Sequence, residues 1–172
     1  MAIETGEIMW VSPDPRGIIP IDEVHVPHGL KRTLKKVKFQ IRIDTAFEAV
    51  IHACAERSET WISEEIIESY LNLHRLGFGH SVETWLNDEL VGGLYGVNIA
   101  GAFFGESMFH KVADASKVAL LALVERLQER GFRLLDAQYV TSHLQMFGAV
   151  EIPRPEYLRL LKQAIALDCQ FI

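Results

Sequence analysis

Ser81-Val-Glu-Thr-Trp-Leu86, Leu90-Val-Gly-Gly-Leu-Tyr-Gly-Val97 and Ala102-Phe-Phe-Gly-Glu-Ser-Met-Phe109 follow one another with only Asn87-Asp-Glu89 and Asn98-Ile-Ala-Gly101 between them. Three runs rich in β-branched and aromatic residues, separated by Asn, Asp and Gly, predict an antiparallel meander. Downstream, Asp114 and Ser116 open a long helix that is apolar nearly all round from Val118 to Val124, charged at Glu125, Arg126, Glu129 and Arg130, and ended by Gly131. Its middle belongs in a core. Leu134 to Val140 reads as a further strand. Pro155 sits in the first turn of a last helix that turns Tyr157, Leu158, Leu161 and Ile165 inward.

Upstream of the meander, Ser63 with Glu64 and Glu65 starts a helix with Ile66, Ile67, Tyr70, Leu71 and His74 on its inner face and Gly77 as its stop. Asp44 or Thr45 caps a preceding helix through Phe47, Val50, Ile51 and Cys54, with Thr45 and Glu48 spaced as a capping box. Phe39, Ile41 and Ile43 alternate as a short strand. Before it lies a basic helix with Leu30, Leu34 and Val37 on one face. Pro13, Pro15, Pro20 and Pro27 make the first thirty residues turns and extended pieces. Helices, antiparallel strands, helix, strand and helix in that order define an α+β fold. The expected division is an extended segment and basic helix over 1–38 and a catalytic unit over 39–172, forming one compact body.

The 172 residues are close to one ordinary domain, and 49% of them are apolar, enough to close a core. Seventeen basic residues face 23 acidic ones, so a surface that coats nucleic acid all over is excluded. The longest uncharged stretch, Leu90 to Gly105, is 16 residues with five glycines and is too short to span a bilayer. Met1 is followed by Ala-Ile-Glu-Thr-Gly-Glu rather than a basic and then apolar run, so a cytoplasmic protein without a leader or membrane anchor is expected. Cys54 and Cys169 stand alone, and the seven histidines lack metal-site spacing, so no metal centre is expected.

Some chemistry can be discarded. Gly105-Glu-Ser-Met-Phe109 lacks the closing glycine and the strand-to-helix setting of a nucleophile elbow. Gly92-Gly-Leu-Tyr-Gly96 lies inside a strand pattern, so it reads as close backbone approach rather than as a phosphate loop. Three features remain. Glu106 is a carboxylate amid Phe103, Phe104, Met108 and Phe109, costly unless paired. Asp136 and Gln138, two apart on a strand, leave from one face and form either a buried network or part of a site. Lys31, Arg32, Lys35, Lys36 and Lys38 put five charges in eight residues, while the rest of the chain carries a balance of −11. That octet is either a solvated face or the landing place for a polyanion.

Taken together, Trp10-Val-Ser-Pro-Asp-Pro-Arg16, Thr60-Trp-Ile62, His80-Ser-Val-Glu-Thr-Trp85, the glycine-rich strand, Gly105 to Phe109, Ala115-Ser-Lys117, Leu135-Asp-Ala-Gln138, His143-Leu144 and Gly148-Ala149 resemble the leucyl/phenylalanyl-tRNA-protein transferases of bacteria. The resemblance implies a fold like the GNAT acyltransferases, with a central, mainly antiparallel sheet flanked by helices. It implies transfer of Leu, Phe or Met from aminoacyl-tRNA to proteins beginning with Arg or Lys, marking them for degradation, without metal or bound cofactor.

The same resemblance places the catalytic pair on Asp136 and Gln138. It assigns the donor side-chain pocket to Leu94, Phe103, Leu120, Leu123 and Leu127, adds Trp61 and Glu106 to the substrate site, and makes Lys31 to Lys38 the tRNA contact. In that scheme Gln138 accepts a hydrogen bond from the attacking amine, while Asp136 orients it and supplies the titratable carboxylate. Gly-Gly-Asp-Leu and Gly-Ile-Phe-Pro-Trp runs expected ahead of Trp10 are not among the 172 residues, so the basic helix is expected to carry a large share of tRNA affinity. Two rivals stay open: a related acyltransferase with another donor or a small amine acceptor, and a non-catalytic aminoacyl-tRNA-binding module.

Overall fold

A computed structural model describes residues 8–56 and 60–172. The opening run read for a leader lies outside the described residues. The meander is the centre of the molecule: β3 (Gly79–Leu86), β4 (Glu89–Ile99) and β5 (Ala102–His110) pair antiparallel in sequence order. Both connections are tighter than expected. Leu86 pairs with Glu89 across Asn87 and Asp88, whose φ values of 52° and 60° are those that a two-residue hairpin turn needs. From β5 the chain crosses through α4 (Ala115–Glu129) to β6 (Leu134–Gln138), which is parallel to β5. A parallel neighbour requires such a crossover.

Two short strands close the far side. β1 (Arg16–Ile19) pairs antiparallel with β6 on one edge and with β7 (Val150–Ile152) on the other, giving a seven-stranded order β2-β3-β4-β5-β6-β1-β7, where β2 is Gln40–Ile43. The proline-rich opening segment therefore supplies an interior strand. Its four residues, three of them buried, are too few for a periodicity to declare them. β6 is shorter than read, because Gln138 turns into the left-handed region at φ 62° and takes Tyr139 and Val140 out of the ladder.

The remaining helices are α1 (His28–Lys36), α2 (Phe47–Ala55), α3 (Glu64–Arg75), the single turn α5 (Ser142–Gln145) and α6 (Arg154–Ala164). One core unites α4 with Leu94, Phe103, Leu135 and Phe171; a second joins α2 and α3 to Tyr95 and Phe109. Gly92 lets α4 approach, since a Cβ there would lie 2.5 Å from that of Ala115.

Three local readings are corrected by tertiary contacts. Neither Asp44 nor Thr45 caps α2. The buried Glu83 carboxylate of β3 accepts the Thr45 and Ala46 amides at 2.8 Å each, and Asp44 instead holds Ser81 N (2.8 Å) and His80 Nδ1 (2.7 Å). On α1, Leu30 is buried, but Leu34 faces outward. On α6, Leu158 and Ile165 are exposed while Tyr157 and Ala164 are buried, so the inward face is rotated toward Tyr157, Leu161 and Ala164. Among the described residues no helix is long and apolar enough to cross a membrane.

Candidate active site

Where β4, β5 and β6 run beside the N-terminal half of α4, a cavity of about 1000 Å³ opens, reached also by Trp10 and Arg16 from the opening segment and Trp61 and Tyr70 from the α3 side. Leu94, Leu120, Leu123 and Leu135 make its apolar wall; Glu106, Asp136 and Gln138 bring polar groups to it. An apolar wall with a few convergent polar groups is the usual form of a substrate site. Phe103 and Leu127 belong to the same apolar cluster but lie in the core behind that wall, each fully buried.

The polar groups form two layers. Asp136 is fully buried, and every direction around its carboxylate is taken. Arg16 forks onto it with Nε 3.0 Å from Oδ1 and Nη2 2.9 Å from Oδ2, the Tyr157 hydroxyl donates to Oδ2, and the Gln138 amide donates to Oδ1 at 2.8 Å. Arg16 also lies 5.2 Å over the Tyr157 ring. Burial, then the Asp136 carboxylate, pushes the Tyr157 hydroxyl pKa well up, so it stays a donor. In front of this layer the Gln138 side-chain amide donates to Glu106 Oε2 at 3.2 Å and, at 3.4 Å, to the Gly105 carbonyl. Its amide hydrogens are thereby committed, and no protein donor among the described residues meets its carbonyl oxygen.

Glu106 is the carboxylate at Gln138 that faces the cavity. Burial pushes it above the ordinary carboxylate range, opposed by hydrogen bonds from Tyr70 and Gln138. Tyr70, itself half-buried, has its hydroxyl pushed up by burial and by Glu106. Glu106 is therefore a second titratable group on the face where sequence reasoning placed only Asp136. Arg16 and Tyr157 had no assigned role either, although an arginine opening the apolar Gly17-Ile-Ile19 run was the visible signal.

The basic octet stands apart. Lys31, Arg32, Lys35, Lys36 and Lys38 are all exposed, Lys38 beyond the end of α1, and none lines the cavity. α1 is tied to the start of α4: Asp114, held at φ 67°, accepts from Thr33 Oγ1 at 2.6 Å and from Lys117 at 2.7 Å, which draws its pKa down. Among the described residues no three His, Cys, Asp or Glu side chains converge as metal ligands.

Comparison with known proteins bears on this geometry. The profile of the leucyl/phenylalanyl-tRNA protein transferase family matches residues 18–162. A leucyl/phenylalanyl-tRNA–protein transferase of Gloeobacter violaceus is 58% identical over 95% of this chain and 85% of its own length; one of Herpetosiphon aurantiacus is 57% identical over 98% and 88%. Among solved structures, an AAC(6′)-Iy enzyme in complex with a bisubstrate analogue is similar at a TM-score of 0.43, with 13% identity over 76% of this chain and 90% of that one. The match of profile and relatives runs from β1 into α6, through Gln138, Glu106 and the apolar wall alike, and by it the chain belongs to the leucyl/phenylalanyl-tRNA protein transferase family.

Proposed function

We propose that this chain acts in the cytoplasm to move Leu, Phe or Met from aminoacyl-tRNA to the N-terminal Arg or Lys of acceptor proteins, marking them for degradation. The observation that carries the reading is the meeting of Gln138 and Glu106 at the foot of an apolar wall, 3.2 Å apart. The donor side chain would lie along Leu94, Leu120 and Leu123, with Phe103 and Leu127 stiffening the wall from behind. Trp61 would border the site, and the octet from Lys31 to Lys38 would meet tRNA phosphates. The Glu106 carboxylate complements a cationic acceptor side chain, which an apolar cavity would otherwise repel.

Chemically the step is aminolysis of an ester. The acceptor nitrogen attacks the aminoacyl carbonyl carbon, the bond to the ribose oxygen breaks, the nitrogen gives up one proton, and the ribose oxygen gains one. An α-amine with a pKa of about 7.7–8.0 is substantially neutral near physiological pH, so the demand for a strong base is small and placement dominates. The Gln138 carbonyl accepts from the amine and aims its lone pair; Asp136 acts behind it. Incubation with radiolabelled Leu-tRNA and peptides beginning with Arg, Lys, Asp or Met tests the reading. Label is expected only on the Arg and Lys peptides. Absence of transfer to either would overturn it.

A further inference from the structure

Gln138 carries the catalytic carbonyl in the proposed function, yet its backbone occupies the left-handed region at φ 62°, which side-chain-bearing residues seldom adopt. Such a conformation persists only where the surroundings over-determine it. Here the constraint is the Asp136 carboxylate, which accepts the Gln138 amide two residues on and so closes a tight local ring. A carboxylate that is fully buried cannot hold this post alone. Arg16 from β1 supplies a planar fork to both oxygens, and Tyr157 from α6 supplies a third donor. The partners come from β1, 120 residues upstream, and α6, 21 residues downstream, and converge on one carboxylate. With both oxygens of Asp136 engaged, it has no direction left in which to meet a substrate amine.

We infer that Arg16 and Tyr157 are positioning residues for aminoacyl transfer, holding Asp136 so that it locks the Gln138 backbone with its side-chain carbonyl aimed into the cavity. Asp136 is then a positioning residue too, and the proton leaving the amine does not pass to it. The inference rests on the proposed activity for its kinetic consequence, but its structural consequence is independent of that activity.

Two variants that keep the buried charge balance test it. Arg16→Lys preserves the cation and loses the fork, since an ammonium is a point charge rather than a bidentate donor; Tyr157→Phe removes one hydroxyl. In each, exchange of the Gln138 amide hydrogen should quicken at least tenfold relative to wild type, and kcat should fall at least tenfold. KM for Leu-tRNA and filter-binding affinity should stay within about threefold. The acid limb of the kcat profile against pH should not move, because the group that titrates there is not the one whose partners were changed. Unchanged protection of the Gln138 amide in both variants would overturn the inference whatever the activity. So would a wild-type kcat in both, or an acid limb that shifts in both, which would make Asp136 a proton acceptor. A wild-type protein inactive with every peptide would count against the proposed function alone, with amide exchange still deciding the positioning role.

Discussion

Asp136 and Gln138 look alike in sequence, two polar residues on one short strand, but their surroundings make the consequences of changing them differ. Among the described residues the Gln138 side chain hydrogen-bonds only to Glu106 and the Gly105 carbonyl, so Gln138→Ala should cut transfer more than tenfold and leave the thermal midpoint within a few degrees. Asp136→Asn should cut transfer as far and also cost about 3 kcal/mol of stability, because it leaves the mostly buried Arg16 guanidinium without its counter-charge. That corresponds to a drop of roughly 6–12 °C in midpoint. Parallel melts and transfer assays on the two variants check the contrast. Glu106 behaves oppositely. Because its folded pKa is raised by burial, the folded chain keeps a proton that the unfolded chain has lost, and stability falls as pH rises from the ordinary carboxylate range through that raised value. Glu106→Gln should therefore remove this decline and raise the midpoint at neutral pH, while weakening preference for Arg and Lys peptides. Midpoints of both proteins measured from pH 4 to 8 decide the sign.

At the level of elements, the proposed function has α1 and α4 divide the handling of aminoacyl-tRNA between charge and shape. If the exposed α1 cations meet phosphates, each contact released should lower the salt slope of binding by about 0.7–0.9. Lys35→Ala with Lys36→Ala should thus weaken Leu-tRNA and Phe-tRNA equally, since phosphate contacts carry no information about the amino acid. Filter binding across a salt series reads both quantities, and equal slopes in mutant and wild type would leave the octet as a solvated face. α4 sets the donor. A wall of Leu94, Leu120 and Leu123 would discriminate by apolar volume, worth about 1–3 kcal/mol per methylene, so Leu-, Met- and Phe-tRNA should be used within roughly two decades of one another and Lys-tRNA poorly. Relative kcat/KM for the four donors tests it. The tie of Thr33 to Asp114 means that the two elements are not independent, and a change at Thr33 is expected to disturb both readouts.

Across the whole molecule, segments far apart in sequence are built into one sheet and one core. β1 is an interior strand, and near the C-terminus Phe171 is buried among Phe103, Phe132 and His80, with its carbonyl accepting from Arg126 at 2.7 Å. Phe171→Ala should cost about 3–5 kcal/mol, more than most substitutions at the cavity rim, as measured by urea unfolding. Turn residues, hydrophobic periodicity and the glycine-rich run by themselves determined the meander, the crossover helix and the existence of the last helix, whereas the wall positions Leu94, Leu120 and Leu123 came from the family resemblance. The meander and the two helices are local properties, set by period 2 or 3.6 and by residues that only a turn or a close approach accommodates. What a single strand or helix cannot encode is which distant group completes a hydrogen bond. Only the tertiary structure decided that Glu83 holds the Thr45 and Ala46 amides leading into α2, that the four residues of β1 enter the sheet, and that Glu106 shares the cavity face with Gln138. It alone brought Arg16 and Tyr157 onto Asp136, because a buried carboxylate must find its donors wherever the fold places them, here 120 residues upstream and 21 downstream.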